Sequence, residues 1–192
     1  MNQQIILFLH QTKYTFYGLL CGYLQKLIDM EFIKFEPDST VPKEIAILYG
    51  GNYNIVQSIL IGGIGSPEVI YQYGIPFFDE HLASSKHRPT RKTTFSLMQK
   101  GLIIRLNNIS ELKGCLLHFD EIGNIMLKNY ADIQIINRHK MQEDGIKVQA
   151  SLTIILKNSV ELFFEVPWTN VKRLAQFFNK KQILTNFEIV DH

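Results

Sequence analysis

Apolar and polar residues alternate along much of the second half of the chain. Apolar side chains occupy every second position from Val160 to Val166, and shorter runs occur in GLIIRLNN, ELKGCLLHFD and NIMLKNYADIQIINR. A period of two places successive side chains on opposite faces of a strand, so the pattern predicts about five antiparallel strands. Gly114 lies inside the second of them, and a glycine within a strand is typical of a sharp bend.

Two short segments flank these strands. FSLMQKG, before them, predicts a helix of about two turns. TNVKRLAQFF, after them, predicts a short last strand or the start of a helix. The polar segment HKMQEDGIKVQA, which lies between strand patterns, predicts a loop.

The first half of the chain has a different pattern. QIILFLH predicts a short buried strand, and YTFYGLLCGYLQKLIDMEF predicts a helix because its apolar residues have helical spacing. Those residues are Phe16, Leu19, Leu20, Tyr23, Leu27 and Met30. The following stretch, from Glu44 to Phe78, is apolar and broken by glycines, which predicts short strands joined by glycine-rich turns. Its GGIGS segment lacks the Lys-Ser or Lys-Thr of a phosphate loop.

A polar, proline-containing segment, LASSKHRPTRKTT, separates the two halves and predicts an exposed linker. We therefore expect four regions along the chain. They are an N-terminal region of unassigned function (1–85), a basic linker (86–92), a β domain (93–178) and a C-terminal tail (179–192).

The formal net charge of +2 is unevenly distributed. Residues 1–85 carry four Lys+Arg against eight Asp+Glu, a net charge of −4, whereas residues 86–192 carry 16 against 10, a net charge of +6. A basic half attached to an acidic half is typical of a protein that meets a polyanion. Scattered solubilising lysines would produce the same asymmetry, so charge alone leaves both interpretations open.

The reactive residue types form no recognisable catalytic or metal-binding pattern. Cys21 and Cys115 lack CxxC spacing, so neither a disulfide framework nor a zinc site is expected, and a reducing compartment is favoured. The histidines show no metal-ligand spacing, and no nucleophile–histidine–carboxylate arrangement stands out. Residue types and spacing alone therefore indicate neither a catalytic site nor a metal site.

The segment IIRLNNISELKGCLLHFDEIGNIML resembles the first signature of the Sm and Sm-like (LSm) RNA-binding proteins. That signature has fixed places for six residues, which here are Gly114, Leu116, Phe119, Asp120, Asn124 and Leu127. VPWTNVKRL resembles the second signature in register, with Pro167 and Trp168 standing where Arg and Gly are usual. The resemblance covers about residues 93–178.

The resemblance implies a mainly β fold, in which a short N-terminal helix packs on a small, strongly bent five-stranded antiparallel barrel. In this chain an α/β extension would precede that barrel. Sm subunits form rings of seven by pairing the fourth strand of one subunit with the fifth strand of the next, which satisfies exposed edge groups. The implied ring-interface residues are Glu161, Phe163, Glu165, Val171 and Arg173.

The resemblance also implies binding of uridine-rich single-stranded RNA by the ring. Asn124 would read a base edge through its amide, and Asp120 would hold Asn124 and its loop in place. The implied RNA-binding residues are Asn124, Asp120, Gly123, Trp168, Asn170 and Lys172. The implied role is that of a small nuclear ribonucleoprotein subunit in pre-mRNA splicing or other RNA processing. The resemblance implies binding and assembly without catalysis and without a cofactor. The protein would act in the nucleus, with the cytoplasm as a second location, and without a membrane or small-molecule substrate.

Two alternatives remain open at the level of sequence. An Sm-fold assembly or scaffold protein without RNA contact would explain Gly123 and the Pro167–Trp168 pair, which depart from the usual pocket residues. A small α/β enzyme or regulatory domain with an accidental signature match would require residues 1–85 to share one core with the rest of the chain.

Overall fold

The computed structural model of the chain describes residues 31–34, 41–60, 62–84, 91–107, 113–136, 146–179 and 187–190. The strands of the described part are β1 (Glu31–Lys34), β2 (Val69–Tyr73), β3 (Lys92–Leu97), β4 (Gly101–Leu106), β5 (Lys113–His118), β6 (Ile122–Ile136), β7 (Ile146–Leu156), β8 (Glu161–Pro167) and β9 (Phe187–Val190). The α-helices are α1 (Lys43–Leu48), α2 (Ile55–Leu60), α3 (Pro76–Ser84) and α4 (Val171–Phe178). None of the helices in these ranges is long and apolar enough to cross a membrane.

The strands form one open sheet in the order β1-β5-β4-β3-β2-β8-β7-β6-β9. Two antiparallel meanders, β3–β4–β5 and β6–β7–β8, are joined through β2, which pairs with β3 on one side and with β8 on the other. The tail contributes β9, which pairs in parallel with β6. The predicted mainly β class is confirmed, whereas the described strands do not close into the five-stranded barrel.

The connection between β5 and β6 explains why the described strands form an open sheet instead of such a barrel. The backbone N–H of His118 donates to the Glu121 carboxylate (2.8 Å), and the Asp120 N–H donates to His118 Nδ1 (3.3 Å), which caps a 3₁₀ turn over Phe119–Glu121. After this turn β6 pairs with β7 and β9, while β5 pairs with β4 and β1. The segment GCLLHFDEIGNIML therefore connects the two meanders and does not form a hairpin.

Strand β3 includes Phe95, Ser96 and Leu97 of FSLMQKG, the segment that the sequence predicts to be a short helix, and the rest of that segment is the turn into β4 and its first residue. Thr93, Phe95 and Leu97 alternate into the core, and β3 pairs with β4 over its whole length beyond Lys92. Because burial of these three side chains requires a period of two, tertiary packing overrides the helical interpretation of FSLMQKG. The apolar runs KEIAIL and IVQSIL, where short strands are predicted, are the helices α1 and α2.

Helix α4 closes the main core at one end of the sheet. Leu174, Phe177 and Phe178 are buried at i, i+3 and i+4, which is the spacing of one helix face. The segment TNVKRL, which the second signature would place in a strand, is thus the end of a 3₁₀ turn (Trp168–Asn170) followed by an α-helix.

Aromatic packing shows that the main core extends across the predicted boundary at residues 85 and 86. Tyr71 and Phe78, from before that boundary, contact each other, and Tyr71 also packs edge-on against Phe164 (ring centroids 5.7 Å apart). Phe95 in turn packs against Phe164 and Phe178. Residues from β2 and α3 therefore belong to the same core as the two meanders.

Several sequence predictions fall on other parts of the chain. The QIILFLH strand, residues 14–30 of the predicted helix and linker residues 86–90 lie outside the described residues. Glu31 and Phe32, which end the predicted helix, belong to β1, and Lys92, which ends the predicted linker, begins β3.

Candidate docking surface

Helices α1 and α2 have the same length and end in the same way. At α1, Gly51 N–H donates to Ala46 O (2.6 Å) and Gly50 N–H donates to Ile47 O (3.1 Å). At α2 the equivalent bonds run from Gly63 to Ser58 (2.7 Å) and from Gly62 to Ile59 (3.0 Å). These are Schellman motifs, which need a left-handed residue after the helix, and all four glycines have positive φ.

Local side-chain bonds also fix the start of α2. The Asn54 side chain accepts from Gln57 N–H (2.8 Å), and the Gln57 side chain accepts from Asn54 N–H (3.0 Å). This reciprocal pair satisfies two of the N–H groups that a helix leaves unpaired at its start. The short IVQSIL helix is therefore capped at both ends by hydrogen bonds between residues close in sequence.

Most apolar side chains of the two helices point away from the core, although Ile45 and Ala46 of α1 pack partly against buried residues of the sheet. No residue of either helix is buried. Six large aliphatic side chains are between 65% and 80% exposed, and we call this set the α1–α2 surface: Ile47, Leu48, Ile55, Val56, Ile59 and Leu60. Such a concentration of exposed apolar side chains in a folded chain is typical of an interaction site.

A second, smaller core holds α1 against the sheet. Tyr49 and Val41 pack with Met98, Ile103 and Leu116 on the face opposite the main core. Gly101 is essential to this contact, because a Cβ at that position would come within 2.5 Å of Tyr49 Cδ1.

The backbone around α2 is tied to the same end of the sheet. Lys100 N–H donates to Tyr49 O (3.0 Å), and Gln99 N–H donates to Gly51 O (3.4 Å). After α2, Leu97 N–H donates to Ile64 O (2.8 Å). The α1–α2 surface is thus exposed on a support that is fixed before, between and after the two helices.

The α1–α2 surface is nearly uncharged and carries no aromatic side chain. Lys43 and Glu44, in the first turn of α1, are the charged residues of the two helices, and α2 carries none. A partner would accordingly be recognised by apolar contact and shape rather than by charge.

The sequence contains a signal for this surface that the strand pattern obscures. Ile-Leu-x-Gly-Gly occurs twice, at residues 47–51 and 59–63. A pair of glycines after four to six apolar or small residues is compatible with a Schellman helix end as well as with a turn between strands. The repeat of the whole unit at an interval of 12 residues favours two equivalent helices.

The residues of the first Sm signature lie in and around the connection between β5 and β6. The Asp120 side chain is 88% exposed and one of its oxygens lies 3.3 Å from His118 Nδ1. Gly123 and Asn124 follow Ile122 at the start of β6, where Asn124 is opposite Ile155 of β7 and is half-buried. A Cβ at Gly123 would lie 3.2 Å from the Ile155 carbonyl oxygen, which gives this glycine a close-packing role.

Asn170 lies at the other end of the sheet. Its Nδ2 donates to the Glu68 carbonyl (2.8 Å), which joins the start of α4 to the residue before β2. Pro167 is opposite Val148, seven residues along β7 from the Ile155 that faces Asn124. At about 3.3 Å per residue, Asn124 is thus roughly 23 Å along the sheet from Pro167, which directly precedes the 3₁₀ turn that contains Asn170. One subunit therefore does not bring Asn124 and Asn170 into a common base pocket.

The predicted ring-interface residues of β8 lie on its outward face. Phe163 stacks on Tyr73 with ring centroids 5.3 Å apart, Glu161 accepts from the Tyr73 hydroxyl (3.3 Å), and Glu165 accepts from Gln72 Nε2. Strand β8 is paired with β2 and β7 and so offers no free edge.

The other two predicted ring-interface residues, Val171 and Arg173, belong to α4, where Val171 packs partly against the core and Arg173 is exposed. The edge pairing implied by the second signature is unavailable to these segments.

Trp168 and Lys172 are accessible at the start of α4. The Trp168 side chain is 49% exposed, and Lys172 and Arg173 are exposed on the first turn of the helix. Of the predicted RNA-binding residues, these are the ones that combine an accessible ring with neighbouring cations.

Among the described residues, the Cys115 thiol and the acidic groups do not assemble into a reactive site. Cys115 is fully buried, and burial raises the pKa of its thiol, so it remains protonated and a poor nucleophile. Within the described ranges, no three His, Cys, Asp or Glu side chains are grouped closely enough to hold a metal ion.

No protein-family model matches the chain, and no curated protein matches it either.

Proposed function

We propose that the protein is a non-enzymatic assembly module that binds an amphipathic helix of a protein partner on the α1–α2 surface. The observation that carries the proposal is the exposure of six aliphatic side chains on two helices whose ends are held by the sheet. This function corresponds to the assembly role that the sequence leaves open, without the Sm barrel.

The size of the surface is consistent with a specific complex. Full burial of one aliphatic side chain contributes roughly 1.5–3 kcal/mol, so covering all six would contribute on the order of 10 kcal/mol. Association itself costs roughly 4–15 kcal/mol in lost freedom. A partner must therefore cover most of the surface at once, which a helix laid along α1 and α2 can do.

Replacing Ile55 and Ile59 by aspartate is expected to abolish partner binding. Both side chains project from α2, so the charges would be buried against the partner while the fold keeps its core. Tagged full-length protein and the double variant would be purified from their own cells, and stoichiometric partners quantified by mass spectrometry. We expect at least one partner to fall about tenfold or more in the variant.

Asn52→Asp with Ser58→Asp is the matched control, because it adds the same charge beside and within the same helix, at positions outside the aliphatic set and outside the Asn54–Gln57 pair. Equal partner recovery from the aspartate variant and the wild type would disprove the proposal. Flotation of the wild type alone with neutral lipid vesicles would instead identify a bilayer as the partner.

A second candidate function is binding of uridine-rich single-stranded RNA at the Trp168 end of the sheet. The observation that favours it is the half-exposed Trp168 beside the exposed Lys172 and Arg173. An accessible ring offers a stacking face for a base, and nearby cations meet phosphate. Asn124 would take no part, because it lies at the opposite end of β7.

Trp168→Ala is expected to weaken oligouridylate binding by roughly 5- to 150-fold, the range that corresponds to about 1–3 kcal/mol for one stacked base. The measurement is fluorescence anisotropy of a labelled oligouridylate at a fixed salt concentration. Asn124→Ala is the discriminating control and should bind like the wild type. Loss of affinity in Asn124→Ala with none in Trp168→Ala would support the signature-based pocket instead.

A further inference from the structure

The start of α4 carries charge of the sign that a helix disfavours at this end. Lys172 and Arg173 are exposed in its first turn, and that turn holds no acidic residue. The aligned peptide dipoles give the N-terminus of a helix a partial positive charge, so acidic rather than basic side chains are stabilising there. The side chain of the N-cap residue, Asn170, makes no cap bond and donates instead to the Glu68 carbonyl oxygen (2.8 Å). The two cations therefore gain nothing from their own helix, and a bound anion would offset their repulsion.

A third cation reaches the same place from the neighbouring strand. Val148 of β7 is opposite Pro167 of β8, and because the two strands are antiparallel, Lys147 and Trp168 both lie one residue further in the same direction. Their backbones are therefore within roughly 8 Å of each other, and β7 contacts the 3₁₀ turn that holds Trp168. Lys147 is exposed, and so is half of Trp168. The ring is thus flanked by cations from two elements, one on β7 and two on α4.

Two carboxylates near this end have partners of their own. Glu68 contacts Lys92 Nζ (3.3 Å) and accepts from Asn107 Nδ2 (3.2 Å), and Glu165 accepts from Gln72 Nε2. None of the three cations around the ring forms an ion pair with another residue that the structure describes. Their charge is therefore available to a ligand, and the ligand must be anionic.

The amides that the Sm signatures assign to RNA binding do not serve this surface. Asn170 Nδ2 is bonded to the Glu68 carbonyl oxygen, and Asn124 lies at the opposite end of β7. A ring and cations contact features that every nucleotide has, the π-face of its base and its phosphate. The surface therefore suits a single strand of any sequence, whereas the signatures imply uridine.

We infer that the Trp168 end binds single-stranded nucleic acid without preference for base sequence, with one base stacked on Trp168 and phosphates on Lys147, Lys172 and Arg173. The inference rests on the second candidate function, because it assigns the substrate class of that site and adds Lys147 to it. On a single strand each phosphate contact contributes about −0.7 to the slope of the logarithm of the association constant against the logarithm of the salt concentration. Three contacts therefore give a slope of about −2.

The test is fluorescence anisotropy of the full-length protein with labelled oligouridylate, oligodeoxythymidylate and oligodeoxycytidylate of equal length. We expect the three affinities to agree within about threefold, because stacking and charge do not distinguish the bases. Between about 50 and 200 mM salt, each affinity should fall roughly 18-fold, as three phosphate contacts require.

One lysine on β7 and another just beyond its far end provide a matched pair of variants. Lys147→Gln should reduce the salt-dependent loss of affinity to roughly 7-fold, because one phosphate contact is removed. Lys157→Gln removes the same charge from an exposed position beyond the opposite end of the strand, and it should keep the wild-type salt dependence. Ile55→Asp with Ile59→Asp should also bind like the wild type, because the α1–α2 surface is a separate docking site.

Contrary results separate the inference from the function on which it rests. If Lys147→Gln keeps the wild-type salt dependence while Trp168→Ala loses affinity, the second candidate function stands and the inference fails. A preference of about tenfold or more for oligouridylate would overturn the lack of sequence preference. If no oligonucleotide binds, both fail, and flotation with anionic lipid vesicles that depends on Trp168 would identify a lipid headgroup as the anion.

Discussion

Gly74→Ala is expected to lower the free energy of unfolding by about 3–5 kcal/mol. Gly74 connects β2 to α3 with φ +110°, a conformation that residues with a side chain rarely adopt. An alanine Cβ would also collide with the Glu161 carbonyl oxygen and approach Leu162 Cα to 2.9 Å. Both contacts are backbone of β8, which is paired on two sides and has no room to yield. Urea unfolding followed by circular dichroism measures the change.

Gly63→Ala separates backbone strain from collision. Gly63 has φ +90°, but a Cβ there would meet no atom within 4 Å. We therefore expect a loss of about 1–2 kcal/mol from strain alone. Equal losses in the two variants would show that the approach of Gly74 to β8 contributes nothing, and that only its conformation matters.

Tyr71→Phe is expected to lower the free energy of unfolding by about 2–4 kcal/mol at neutral pH. The Tyr71 hydroxyl accepts from Ile75 N–H (2.6 Å) and donates to Asp79 Oδ1 (2.8 Å). The other Asp79 oxygen accepts from Gly74 N–H (3.2 Å), so this network fixes the corner between β2 and α3. Removing the hydroxyl leaves the Ile75 N–H and Asp79 Oδ1 without these hydrogen bonds, whereas the aromatic ring keeps its packing.

The same substitution should alter the stability at high pH. Burial, opposed in part by the bond to Ile75 and reinforced by Asp79, raises the pKa of Tyr71 above its ordinary value of 10.0. Below about pH 10 the hydroxyl is protonated in both the folded and the unfolded state, so the raised pKa leaves the free energy of unfolding unchanged. Above about pH 10 the unfolded state releases this proton first. The free energy of unfolding therefore falls by up to about 1.4 kcal/mol per pH unit. Tyr71→Phe should remove this part of the decline between pH 10 and 11.5. Parallel slopes for wild type and variant would contradict a buried, protonated Tyr71.

The predicted RNA-binding pocket followed less well from the sequence than the strands did. The positions of two asparagines show why. Asn124 and Asn170 occupy signature positions at fixed spacing in the sequence, yet the structure holds them at opposite ends of β7. A signature predicts a pocket only if the strands around it pair as they do in the family. Here the capped turn at Phe119–Glu121 sends β6 to different neighbours, and Asn170 is occupied in joining α4 to Glu68.

The exposed helices illustrate the complementary difficulty. From the sequence alone, the apolar residues of IVQSIL would be expected in the core. In the structure this segment is α2, and none of its residues is buried. Asn54, Gln57 and the glycine pair determine that the segment is a short helix, since capping bonds are local. Which side of the helix meets the sheet is a non-local property.

The sequence by itself determined the mainly β class and the strands β4, β6 and β8. These features depend on side-chain periodicity, which is imposed by backbone geometry within a few residues. The tertiary structure decided that β3 is a strand, that β2 joins the two meanders, and that Tyr71 and Phe78 share a core with Phe164. Pairing and burial depend on contacts between residues distant in sequence, and a local pattern is compatible with several of them.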